Sequence, residues 1–172
     1  MIGLRRFNLF VDLDGCLADF DKGFMEMCGA TMPMRETNED AAWEAIKKAP
    51  NFWRRLQPMP GAIAFWEFLK PFNPCILTSP SKNDTDRGVI EKRQWVDNWL
   101  GTSTPVFFRR AKFKHHLASP DAILIDDFEP NILNWRNAGG HPILHQNIET
   151  TKQELLRLAS LEDIHSYIRT AS

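Results

Sequence analysis

FVDLDGCLADF (10–20) begins as an apolar run and ends among Asp12, Asp14 and Asp19. Burying one unpaired charge is costly, and two like charges side by side cost more. A strand that closes on two carboxylates a single residue apart therefore calls for a positive partner at its tip, and a metal ion meets that need. Residues i and i+2 of an extended chain point to the same side, so Asp12 and Asp14 can face one site while Leu13 turns away. Asp19 is read differently, as the cap of a helix that follows.

Outward from this stretch, short apolar runs alternate with helical patterns. FNLFVDL (7–13), PCILTS (74–79), PVFF (105–108), AILID (122–126) and HPILH (141–145) read as strands bounded by turn signals. GAIAFWEFLKPF (61–72), DRGVIEKRQWVDNWL (86–100) and PNILNWRNA (130–138) read as helices, with Pro130 in a first turn and Gly139-Gly140 as a stop. The tail from Thr150 reads as one or two amphipathic helices. Strands separated by helices imply an α/β fold: a five-stranded, mainly parallel sheet with helices on both faces. Residues 21–59 hold no good strand, and NEDAAWEAIKKA (38–49) is helical with Asn38 as its N-cap. The expected organisation is thus a core of residues 1–20 and 60–172, with 21–59 as a small helical cap inserted after the first strand.

The chain of 172 residues suits one domain, and 43% hydrophobic with 25% charged residues is ordinary for a globular protein. A net charge of −1 argues against binding nucleic acid or membranes by bulk electrostatics. No apolar stretch approaches the ~20 residues of a membrane span. The start, MIGLRRFNLFVDL, has no signal-peptide cleavage site, so a cytoplasmic location is expected. Cys16, Cys28 and Cys75 lack metal or disulfide spacing and are expected to be reduced. The histidines show no metal-ligand spacing; His141 and His145 flank a strand and are read as structural.

In open parallel sheets, ligands bind beyond the carboxyl ends of the strands. The first strand ends in Asp12 and Asp14, the second in Thr78-Ser79 and the fourth in Asp126-Asp127. An oxygen-rich cage of this kind suits Mg²⁺, the hydroxyls suit phosphate oxygens, and a lysine is needed to balance charge.

DLDG (12–15), LTS (77–79) and IDD (125–127) resemble the strand-end motifs of the haloacid dehalogenase superfamily. With LQPMPGA (56–62), EKRQWVDNWLG (91–101) and ILIDDFEPNILNW (123–135), the chain further resembles the 5′(3′)-deoxyribonucleotidases, over roughly residues 7–145 outside the insert. The resemblance implies a Rossmann-like core and Mg²⁺-dependent hydrolysis of nucleoside monophosphates through an aspartyl-phosphate. Asp12 would be the nucleophile and Asp14 the general acid and base. Asp12, the backbone carbonyl of Asp14 and the Asp127 side chain would hold Mg²⁺, with Asp126 behind them. Thr78 and Ser79 would bind phosphoryl oxygens, and Phe20 would lie against the nucleotide. Arg110-Ala111-Lys112 matches the family's phosphate lysine at Lys112, with Lys114 as a competitor and Lys92 matching a further family lysine. Phe52 and Trp53 are candidates for walling the base. Phe128 departs from the basic residue that the animal enzymes carry after the acidic pair.

Two other readings compete. One is a phosphatase of the same fold acting on a sugar phosphate or a nucleic-acid 3′-phosphate. The other is a non-enzymatic phospho-acceptor domain, where an acceptor would stand alone on a later strand; a degenerate binding module would have lost one of Asp12, Asp14 or Asp127. Neither a stable nucleic-acid partner nor a membrane is expected, and the oligomeric state stays open, a homodimer included.

Overall fold

The computed structural model describes residues 7–29, 38–82 and 84–170, with side chains as far as Ser160. The basic start (1–6), part of the insert (30–37) and the His165 side chain lie outside the described residues. Strands β1 (Asn8–Val11), β2 (Cys75–Thr78), β3 (Val106–Phe108), β4 (Ala122–Asp126) and β5 (His141–Leu144) form one sheet in the order β3-β2-β1-β4-β5. Every pairing is parallel, so the sheet expected to be mainly parallel is wholly so. The five expected strands are all present, most of them trimmed by a residue or two.

Alternation along the central strands separates two apolar layers. Leu9, Val11, Ile76, Ile123 and Ile125 join Phe65, Trp66 and Trp95 on one face. Phe10, Leu77, Ala122 and Leu124 meet Trp135 on the other. A sheet buried on both faces needs near-continuous apolar strands, which is why β4 reads AILI before its acid.

The connecting helices are α1 (Phe20–Cys28), α2 (Glu39–Lys48), α3 (Phe52–Arg55), α4 (Ala62–Leu69), α5 (Thr85–Trp99), α6 (Glu129–Asn137) and α7 (Ile148–Thr170); a 3₁₀ segment spans Ala111–Leu117. Asp19 caps α1 by accepting from Lys22 N–H at 3.1 Å, and Asn38 caps α2 by accepting from Ala41 N–H at 3.1 Å. The helix expected over 61–72 ends at Leu69 and gives way to a 3₁₀ turn, Lys70–Phe72. Pro71 explains the change, because it has no N–H to continue the ladder. The tail forms a single helix. Among the described residues, no helix is long and apolar enough to cross a membrane.

The chain leaves β1 towards β2 and β3 on one side, then returns to β4 and β5 on the other. The strand order reverses at β1 and β4, whose carboxyl ends therefore flank the crevice where such folds bind ligands.

Candidate active site

Register brings the acids together. Val11 pairs with Ile125, and Asp12 N–H donates to Ile125 O at 2.9 Å, so Asp12 stands beside Asp126. Asp12, Asp126 and Asp127 each place a carboxylate oxygen within 4.8 Å of the others. Gly15 lets Asp127 approach: its φ is +79°, and a Cβ there would lie 2.1 Å from Asp127 Oδ2. Any side chain at this position would be strained and would also push Asp127 away.

Two buried lysines divide the acids between them. Lys114, 2% exposed, sits 2.9 Å from Asp12 Oδ1 and 2.7 Å from Asp126 Oδ2. Lys112 is instead exposed, with its ammonium 4.9 Å from the Phe113 ring centre. The lysine in the site is thus Lys114, correcting the sequence match to Lys112. The 3₁₀ geometry is the reason: at three residues per turn, 114 shares a face with Ala111 and Leu117, while 112 points elsewhere. That period-three pattern was the signal available in the sequence.

Lys92, on α5 and 2% exposed, donates to Asp14 Oδ2, to Ser79 O at 2.6 Å and to Thr78 Oγ1 at 3.3 Å. Its ammonium also lies 4.1 Å from the centre of the Trp53 ring, a cation–π distance. Thr78 is fully buried, and its hydroxyl holds Lys92; Ser79 lines the cavity. Asp14 Oδ1 is buried without a hydrogen-bond partner.

Asp12 Oδ1 accepts from Leu13 N–H at 2.8 Å and faces Lys114, whereas Oδ2 has no hydrogen-bond partner among the described residues. Asp126, fully buried, accepts from Phe128 N–H at 2.9 Å and from Asn131 Nδ2 at 2.9 and 3.1 Å. Asn131 was not singled out from the sequence, although its place in the first turns after an acidic pair is the hint that would have found it. Burial and the nearby Asp12 charge raise Asp126 to about 6 and Asp127 to about 7. Burial likewise raises Asp14, despite the opposing pull of Lys92. The Asp12 and Asp126 charges raise Lys114 against the cost of burying it, so it stays protonated. Carboxylates whose charged forms burial and mutual repulsion disfavour make a cluster suited to a hard divalent cation.

Above the acids lies a cavity of about 500 Å³. Asp12, Asp14, Gly15, Lys92, Lys114 and Asp127 form its floor, and Phe20, Trp43 and Trp53 contribute aromatic walls. α2 presents Glu39, Ala42, Trp43 and Ile46, a single helical face, to this space. Phe20 stacks on Trp53 with ring centres 5.7 Å apart, while Phe52 is buried behind them and does not line the cavity. Phe128 stands at the rim, 52% exposed. Trp43 and Glu39 were not anticipated as site residues, because an isolated tryptophan in an amphipathic helix reads as packing.

No family model matches the chain. A haloacid dehalogenase-like family hydrolase from Streptococcus pneumoniae superposes with a TM-score of 0.51 at 19% identity, covering 84% of this chain and 85% of that one. The fold is that of the haloacid dehalogenase-like hydrolases. Its sequence is similar to a protein of Vibrio phage KVP40 named "Putative 5'(3')-deoxyribonucleotidase", 27% identical over 63% of this chain and 58% of that one. A protein of the same name from Bordetella bronchiseptica is 34% identical over 54% of this chain and 60% of its own length. The chain thus spans somewhat more than half the length of these relatives.

Proposed function

We propose that this haloacid dehalogenase-like chain is a Mg²⁺-dependent phosphatase of nucleoside monophosphates. The observation that carries the reading is the unequal treatment of the two tip acids. Asp12 is held through Oδ1 with Oδ2 left for chemistry, while Asp14 is held through Oδ2 with a buried, unpartnered Oδ1.

Asp12 Oδ2 attacks phosphorus, the bond to the sugar oxygen breaks, and an aspartyl-phosphate forms. Asp14, whose pKa burial raises, protonates the departing sugar oxygen. It then takes a proton from the water that attacks the acyl phosphate, releasing phosphate and restoring both acids. Lys114 keeps Asp12 oriented and offsets the charge of the phosphoryl group, and Ser79 backs its oxygens. Asp12 and Asp127 would hold Mg²⁺, with Asp126 behind them bound to Lys114 and Asn131; the ion would neutralise phosphate oxygens so that an anionic nucleophile can approach.

The aromatic walls favour a flat base over a sugar alone, since rings of every base can stack on them. α2 over the acids favours a mononucleotide over a polynucleotide end. The test is phosphate release from a panel of nucleoside and deoxynucleoside monophosphates, with sugar phosphates and a 3′-phosphorylated oligonucleotide as controls, with and without Mg²⁺. Release from the mononucleotides only when Mg²⁺ is present supports the reading. Faster release from the controls would replace it with another specificity, and no release from any would remove it.

A further inference from the structure

Ala42 and Ile46 seat the wall that α2 builds over the acids in the core, and polar contacts from α5 fasten its C-terminal end. Arg87 Nη1 donates to Lys47 O and Nη2 to Ile46 O, both at 2.8 Å, closing the C-terminal turn of α2. Ile46 O also accepts from Ala49 N–H at 3.2 Å, but these last carbonyls carry the negative end of the helix dipole, so a guanidinium suits them. Arg87 Nε lies 3.5 Å from Glu91 Oε1, one turn along α5, and 3.3 Å from Asp84 Oδ2. The other Glu91 oxygen, Oε2, accepts from Trp53 N–H at 3.0 Å, in the first turn of α3. A single ion pair thus ties both sides of the 49–51 connection to the core. At the opposite end of α2, Lys82 lies 3.1 Å from Glu39 and 3.8 Å from Asp40, but this pair is exposed and contributes little. Glu91 is buried, Arg87 is about three-quarters covered, and their neighbour Lys92 holds Asp14.

We propose that Arg87, braced by Glu91, is a positioning residue that sets α2, and with it Trp43 and Ile46, at the height where the cavity accepts a nucleoside. Its role is to fix the far wall rather than to touch the reacting atoms. The planar fork matters, because two carbonyls are reached by two separate N–H groups while Nε stays beside Glu91; a lysine cannot do all three. For its kinetic consequence the inference rests on the nucleotidase reading, but the clamp itself can be tested without it.

The experiment compares wild type, Arg87→Ala, Arg87→Lys and Glu91→Gln in two ways. Hydrogen exchange should speed up in residues 39–48 of Arg87→Ala while β1 and β4 stay as protected as in wild type. Unchanged exchange in that helix would overturn the proposal whatever the enzyme does. Steady-state kinetics should show KM for a nucleoside monophosphate raised about tenfold or more in Arg87→Ala, the effect of losing hydrogen bonds to a charged group. Its rate with acetyl phosphate, too short to reach α2, should stay within about twofold. Arg87→Lys should recover only part of the nucleotide KM, and Glu91→Gln should be milder because the amide still accepts from Trp53. Equal losses on both substrates would mean a merely structural role and would also overturn the proposal. Should wild type hydrolyse acetyl phosphate and no nucleotide, the nucleotidase reading fails while the exchange result still decides the clamp.

Discussion

The strand tips and the α1–α3 segment face each other across one cavity, yet they are built on opposite terms. At the tips, parallel register alone puts Asp12 beside Asp126, and each acid is then pinned by several short bonds: Leu13 N–H, Lys114, Phe128 N–H and Asn131. Across the cavity, α2 presents aromatic and apolar side chains, rests on the core through Ala42 and Ile46, and is tied at its C-terminal end by one arginine braced by a glutamate. Chemistry needs atoms held to fractions of an ångström, whereas recognition of a flat ring needs only a surface at the right height. The contrast implies that tip variants should lose turnover and wall variants should lose affinity.

The largest effect is expected at Asp12, the proposed nucleophile. Asp12→Asn keeps the shape but removes the attacking charge, and kcat should fall by more than about 10⁴-fold in a phosphate-release assay, with the fold intact by circular dichroism. Asp14→Asn removes proton transfer and should cost about 10²–10⁴-fold, again in kcat. Full activity in either variant would break the comparison at its stronger side. Lys114→Ala strands Asp126 as a buried charge without its cation, so about 3–5 kcal/mol of stability should be lost in urea titration along with most activity. Lys112→Ala at an exposed position should change stability by no more than about 0.5 kcal/mol. Comparable effects from the two would contradict the assignment of Lys114.

On the wall, Trp43→Ala should raise KM for nucleoside monophosphates about tenfold and leave kcat nearly unchanged, as expected for the loss of one stacking surface. A fall in kcat instead would mean that the wall takes part in holding the reacting atoms. The smallest effect is one of pH. Folding raises Asp126 from 3.8 to about 6 and Asp127 from 3.8 to about 7. The native state therefore binds more protons than the unfolded chain in this window, and the metal-free protein should become less stable as pH rises through it. Mg²⁺ held as proposed by Asp12 and Asp127 would displace those protons, so thermal melts with Mg²⁺ should show a stabilisation that grows as pH rises through 6 to 7.

The core was legible because its constraints are local and periodic. Five apolar runs, each closed by a turn and several by acids or hydroxyls, specify a parallel sheet with a site at its carboxyl ends. Asp19 and Asn38 announced their helices by residue type, and both accept the cap bonds expected of them. The lysine was harder: a motif of spacing selected Lys112, but the segment coils as a 3₁₀ turn and delivers Lys114. Thr78 also reads from its strand end as a phosphate ligand, whereas burial turns its hydroxyl to Lys92. The wall was least legible. Nothing in NEDAAWEAIKKA says what will tie its C-terminal end, because Arg87 and its brace Glu91 lie some forty positions later.

The central claim is that Asp12 itself carries the phosphoryl group. Incubation with a nucleoside monophosphate and Mg²⁺, borohydride quench and peptide mass spectrometry would test it directly, since reduction of an acyl phosphate converts aspartate to homoserine. The account predicts homoserine at position 12 and unchanged aspartate at positions 14, 126 and 127. Phosphate release with Asp12 left unmodified, or with the label at another aspartate, would contradict it.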